Sequence, residues 1–295
     1  MIAPFANLFG YILNFIYNIV NNYGLAIIIF SILIKIIMLP LSIKQQRTMK
    51  KSTELNEKIK VLQFKYKNDP EKLNREMMDL YKKENMSPFS GCLSTIAQFI
   101  LLISIFYMVR CPLTYMEKIN NDQINTYVQQ LKDGGITVNQ AYSEIDIIRE
   151  LDYLKEKMPE DEGLNKINLN MNFCGLDLSK IPQQNLNDWT VYIIPALYII
   201  STFISMKITT SMQKKSKKND GVIDITEKEE KDSKEEEKNE MEDMMEQSNK
   251  MMSWMMPIMS VSISLVAPLG LALYWLVNNI LMIGERLVLN KIIKD

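Results

Sequence analysis

Histidine is absent from the 295 residues. That excludes Ser-His-Asp triads, His-ligated zinc or haem, and HExxH protease chemistry together. Glycine is sparse, at 10 residues, and neither GxxxxGK[ST] nor GxGxxG occurs, so no recognisable loop cradles a phosphate. Three cysteines do not make a disulfide framework. Net charge is also nearly missing, at −1, yet charged residues make up 23% of the chain and apolar ones 47%. The two classes sit in separate blocks. What these absences leave is a protein that works by shape, burial and electrostatics rather than by a cofactor or a nucleophile.

The apolar blocks are long. A bilayer core needs about 20 predominantly apolar residues per helix. Five runs approach that length: Gly24–Ile43, Gly91–Val109, Thr190–Ile208, Met251–Ala267 and Leu269–Leu289. The alternative, buried helices of a soluble protein, would require all five to cover nearly every face against one another. APLG at 267–270 leaves only a tight turn between the last two runs, as in a membrane hairpin. Between the first two runs, residues 44–85 carry 12 Lys+Arg and 7 Asp+Glu; residues 110–190 carry 8 and 13. Basic short loops stay in the cytoplasm. The expected topology therefore puts 44–85 inside, 110–190 outside, the N-terminus outside and the C-terminus inside a plasma membrane.

The expected organisation is all-α. It comprises an amphipathic helix on the outer interface (1–23), a first span (24–43), a cytoplasmic helical hairpin (44–88) and a second span (89–110). An outer insertion (111–188) and a third span (189–208) follow. An acidic linker (209–250), a fourth span (251–267), a fifth span (268–289) and a short tail (290–295) complete the chain. Phe5, Leu8, Phe9, Ile12, Phe15, Ile16 and Ile19 recur near helical spacing, with Asn7, Asn14, Asn18 and Tyr11 opposite, which reads as an interfacial helix. A short extra span is the other reading. No basic n-region or clear cleavage site marks a signal peptide. Asp69-Pro70-Glu71 is a helix start, with an N-cap acid, Pro at the first position and acid in the first turn. The stretch EKEEKDSKEEEKNEMED reads as a solvated linker. In the insertion, Tyr142–Leu154 is a helical fragment and NFCGLDLSKIP a small apolar motif. Cys111 and Cys174 both lie near the outer side, and their pairing stays open. A cluster from Met244 to Met259 reads as an adaptable apolar surface rather than a copper site, because no Cys or His accompanies it.

Lys35 is the most informative residue. It lies near the middle of the first span, where a cation costs about 2.5–3.5 kcal/mol on insertion scales. It must face a polar or hydrated space, since both ends of its helix are too far for easy snorkelling. Polar stripes at helical spacing on the other spans supply such a space. They are Ser31, Lys35 and Ser42; Ser87, Ser94 and Gln98; Tyr198, Thr202, Ser205 and Thr209; Ser253, Ser260 and Ser264; and Tyr274, Asn278 and Glu285, flanked by Trp275 and Asn279. Any single stripe is as well explained as helix–helix contact. Glu285 sits nearer the inner end, beside Arg286, so Lys35 is expected to lack a counter-ion and to attract carboxylates, phosphates or acidic segments of a passing polypeptide.

The run GLAIIIFSILIKIIMLPLSIKQQRTMKK, the block YKNDPEKLNREMMDLYKKENMSPFSGCL and the run APLGLALYWLVNNILMIGE resemble the YidC/Oxa-type membrane protein insertases. The resemblance implies a five-span core around a hydrophilic groove, open to cytoplasm and lipid and closed to the outside. It implies insertion of nascent membrane proteins into the bilayer, alone or with the Sec translocon and the ribosome. It implies no enzymatic reaction, cofactor or nucleotide, and no nucleic-acid site is evident. Lys35 falls where that family usually carries a groove arginine, a substitution that keeps the charge and changes its geometry. Ser31 and Trp275 fall on further groove positions, and Ser205 on one often occupied by Gln. Gln98, Tyr274 and Asn279 complete the candidate groove. The rival readings are a small-anion transporter or channel that uses Lys35, and a membrane scaffold with no pathway.

Overall fold

A computed structural model describes residues 2–66, 69–84, 90–219 and 262–292. Helices α1 (Ile2–Val20), α2 (Tyr23–Lys65), α3 (Pro70–Lys83) and α4 (Ser90–Arg110) come first. Short helices follow: α5 (Pro112–Tyr115), α6 (Asn121–Asp133), α7 (Ser143–Arg149), α8 (Leu151–Lys157) and α9 (Glu162–Lys166). A two-stranded hairpin, β1 (Asn172–Phe173) with β2 (Leu176–Asp177), precedes 3-10 turns at Pro182–Gln184 and Trp189–Tyr192. The long helices α10 (Ile193–Asn219) and α11 (Leu269–Ile292) close the described chain, with residues 262–266 helical just before the final turn.

Four helical stretches among the described residues are long and apolar enough to cross a membrane: Ile2–Val20, Tyr23–Thr48, Trp189–Ser211 and Leu269–Leu289. Phe99–Arg110 is a shorter apolar stretch of α4. The chain is a mostly helical, multi-pass membrane protein. Most of the expected fourth span, the greater part of the acidic linker and the Met244–Met259 cluster lie outside the described residues.

The helix that carries the first span does not stop at residue 43. α2 runs unbroken for 43 residues, through Pro40 and on to Lys65. Residues 44–65 contain neither Gly nor Pro and are rich in Lys, Gln, Glu and Leu, all good helix formers, so nothing in the chain ends the helix there. α3 then folds back beside its far end. Asp69 caps α3 by accepting from the Lys72 N–H at 3.0 Å, with Pro70 next. Lys58 Nζ lies 2.5 Å from Glu84 Oε1, and Leu55 and Ile59 are buried.

Residues 111–192 fold into a small cap whose apolar core is continuous with that of the helix bundle. Tyr127, Leu131, Ile147, Leu154 and Leu164 are buried. The helical fragment expected at Tyr142–Leu154 is two helices, α7 and α8, meeting at Glu150. Glu144 is buried and accepts from the Thr114 N–H at 3.0 Å and hydroxyl at 2.6 Å. Burial pushes its carboxyl above the ordinary range, and the Thr114 hydrogen bonds pull it back. The motif NFCGLD is the β-hairpin. Its two-residue turn, Cys174-Gly175, has φ of 51° and 81°, the doubly positive pattern of a type I′ turn. Cys111 and Cys174 are both free.

The cap grips one end of the helix bundle at many points. The Tyr17 hydroxyl donates to Asn168 O at 2.6 Å and accepts from the Asn170 N–H at 2.8 Å. The N–H of Tyr23 donates to Asn170 O, and its hydroxyl to Val109 O. The expected tight turn at 267–270 is present and is held from above: Leu269 N–H donates to Lys180 O and Gly270 N–H to Leu178 O, both at 2.9 Å. Phe173 of β1 lies directly on Gly24 of α2. The ends of α1, α4 and the 262–266 helix, and the starts of α2, α10 and α11, therefore gather under one lid.

α1 is apolar on two sides. Ala6, Phe9, Leu13, Ile16 and Tyr17 pack inward, while Phe5, Leu8, Phe15 and Ile19 are exposed. Its contacts fix its direction. The Ile2 carbonyl meets Ser104 Oγ at 3.5 Å, and Gly10 abuts the Tyr115 carbonyl. Asn14 Nδ2 donates to Met116 O at 3.2 Å, and Tyr17 reaches the cap. α1 packs along α4 and also against α2, where Phe9 meets Phe30 edge to face with ring centroids 5.9 Å apart.

Candidate functional site

α11 is the hub of the polar contacts between spans. Toward α10, Asn279 Nδ2 donates to Ser201 Oγ at 2.9 Å and to Thr202 Oγ1 at 3.2 Å. Two turns further on, Arg286 donates to the Thr209 hydroxyl. Trp275 packs on Tyr198, with ring centroids 6.2 Å apart. Toward α2, Glu285 meets Lys35, Oε2 to Nζ, at 2.5 Å.

The ion pair corrects the expectation that Lys35 lacks a counter-ion. The reason is register. Gly270 packs beside Tyr23, so α2 and α11 start level under the cap. Lys35 is twelve residues from Tyr23, about 18 Å along its helix, and Glu285 is fifteen from Gly270, about 22 Å. Two long side chains close that gap. Glu285 does lie nearer the far end of its span, four residues before Leu289, yet Lys35 sits far enough along α2 to reach it. The signal was available: Glu285 is the only acid within Leu269–Ile292. The Lys35 side chain is 23% exposed and that of Glu285 10%. Glu285 Oε1 is buried and has no hydrogen-bond partner among the described residues.

The other candidate residues divide. Ser31 is buried, and its hydroxyl donates to its own helix at Ile27 O, 2.7 Å away. Ser205 and Tyr274 are buried, Tyr274 within the apolar core. Asn279 is buried and bonded to α10, whereas Asn278, placed in the same stripe, makes no such bond among the described residues. Trp275 is half-buried. The Gln98 side chain lies outside the described ones, as do those of Ser94, Ser253 and Ser260. Ser201, absent from the expected stripes, carries one of the two bonds to Asn279. The hydroxyls of Thr202 and Thr209 donate to the carbonyls four residues earlier, Tyr198 and Ser205, at 2.9 and 2.8 Å. A Ser or Thr in a span satisfies itself this way and still offers its oxygen as an acceptor. The stripes are therefore partly seams between helices, with Lys35 and Glu285 as the one ion pair between spans among the described residues.

A family model described as "60Kd inner membrane protein" matches residues 15–295. The chain belongs to that family. Among curated relatives, a protein named "Membrane protein insertase YidC" from Caldanaerobacter subterraneus subsp. tengcongensis is 43% identical over 108 residues, 37% of this chain and 52% of that protein. One of the same name from Chlorobaculum parvum is 29% identical over 284 residues, 96% of this chain and 35% of that protein. A third, from Francisella tularensis subsp. novicida, is 41% identical over 109 residues, 37% of this chain and 20% of that protein. The chain thus spans between a fifth and about half of the length of these relatives.

Proposed function

We propose that this protein inserts nascent transmembrane segments into the bilayer, with the space around Lys35 as the polar waypoint for the client's leading tail. The observation that carries the reading is a partly exposed cation about 18 Å below a folded lid, on a helix that continues into a basic hairpin. The family and the name shared by its relatives point the same way. The proposed orientation has the cap and the N-terminus outside, α1 resting in the outer interface, and the α2–α3 hairpin and C-terminus in the cytoplasm. Ser31, Gln98, Ser205, Tyr274, Trp275 and Asn279 are the residues proposed to flank the client's path.

Insertion then proceeds by partition. The basic hairpin meets the client on the cytoplasmic side. The polar tail lowers its desolvation cost beside Lys35, and the apolar segment slides between spans into lipid, where its burial is favourable. No bond is made or broken. The Sec translocon and the ribosome are proposed partners in delivery. An anion transporter fits less well, because a carboxylate already holds the ammonium. Photocrosslinkers at positions 31, 35 and 275 should form adducts with a ribosome-stalled membrane protein, while one at Phe15, on the outward face of α1, should not. Adducts from none of the three inner positions would refute the reading.

A further inference from the structure

We infer that Glu285 is a resident counter-ion that sets client selectivity, and that a client's acidic group must displace it before Lys35 can hold that group. The inference rests on the insertase reading above. It stands on three observations. Glu285 Oε2 contacts Lys35 Nζ at 2.5 Å. Glu285 is the sole acid within Leu269–Ile292, so no other carboxylate of α11 can take its place. Arg286 is turned away to Thr209 on α10, which leaves Lys35 as the one cation in contact with Glu285 among the described residues.

The consequence follows from the energetics of a part-buried pair. Drawing Lys35 to an outside carboxylate strands Glu285, whose side chain is nine-tenths buried, and an unpaired buried charge is strongly unfavourable. A neutral tail leaves the pair undisturbed, so the site favours neutral tails and discriminates against purely acidic ones. A lone cation would do the opposite.

The test uses the full chain in liposomes and a single-span client whose outer tail is neutral or acidic. The readout is the ratio of protease-protected acidic tail to protected neutral tail. Glu285→Gln removes the competing charge and keeps the side-chain shape. It should raise that ratio on the order of ten- to a hundredfold, the range of a hydrogen bond to a charged group. In the double variant Lys35→Gln/Glu285→Gln the rise should vanish. Glu285→Asp, one methylene shorter, should raise the ratio by less than Glu285→Gln, and decides the matter by the same ratio if Glu285→Gln does not fold. An unchanged ratio in the single variants, or an equal rise in the double variant, overturns the inference while leaving the insertase reading intact. Failure of the wild-type protein to insert either client sinks that reading and the inference with it.

Discussion

Gly24→Ala tests how the cap is seated. An added Cβ at Gly24 would lie 2.4 Å from Phe173 Cγ, 2.6 Å from Cδ2 and 2.7 Å from Cβ. Each is roughly 1 Å or more inside the optimum carbon–carbon separation. The β-hairpin must lift off α2 to relieve all three. Overpacking of this kind costs about 1–3 kcal/mol. The gain in helix propensity returns at most about 1 kcal/mol. With all three contacts below 3 Å the cost falls in the upper part of the overpacking range, about 2–3 kcal/mol, and the net loss of about 1–2 kcal/mol corresponds to a fall of about 2–8 °C in Tm for a chain of this size class. Thermal unfolding in detergent measures it. The same substitution made with Phe173→Gly, which deletes all three clashing atoms, should be neutral or stabilising relative to Phe173→Gly alone. A Gly24→Ala protein as stable as the wild type, or a penalty that persists without Phe173, refutes the account of the seat.

Asn279→Leu removes the two hydrogen bonds from α11 to Ser201 and Thr202 while keeping similar bulk. Interhelical bonds in membranes contribute about 0.6–1.7 kcal/mol each, so unfolding in detergent should come at measurably lower denaturant, and an unchanged midpoint would remove Asn279 from the seam. Burial pushes the Cys111 thiol up to about 12, with Glu144 adding to the effect, whereas Cys174 is exposed at the hairpin turn. In a Cys92→Ser background at pH 8, iodoacetamide should alkylate Cys174 while Cys111 reacts on the order of a thousandfold more slowly than an ordinary thiol, because so little of it is thiolate. Comparable labelling of both by mass spectrometry would contradict the packing of Cys111.

Local chemistry was readable from the sequence wherever it is set by neighbours in the chain. Asp69 and Pro70 announce the start of α3, and APLG announces the turn at 267–270, because caps and tight turns depend on a few consecutive residues. The apolar runs around α2, α10 and α11 were readable because bilayer thickness sets their length. What depends on register between helices was not. Lys35 and Glu285 are 250 positions apart, and only their common start under the cap makes them level. Asn279 rather than Asn278 faces α10, a difference of about 100° that a stripe drawn by eye does not resolve. The hydroxyl stripes misled for another reason: Ser31, Thr202 and Thr209 bond to their own helices, so a polar residue in a span is no proof of water beside it. The cap's type I′ turn was hidden because Cys at a positive φ is unusual.

The unbroken course of α2 makes it a lever with a built-in joint. Its 43 residues form a rod about 64 Å long, clamped at one end by Phe173 and the Asn170 carbonyl. Pro40 has no N–H to give the Ile36 carbonyl, so flexing there breaks no backbone hydrogen bond. The pivot lies beyond Lys35, on the side away from the clamp. A swing of about 10° at the pivot would carry the distal tip through about 6–7 Å while leaving the ammonium and its carboxylate in contact. Movements of the basic arm are thereby insulated from the charged centre.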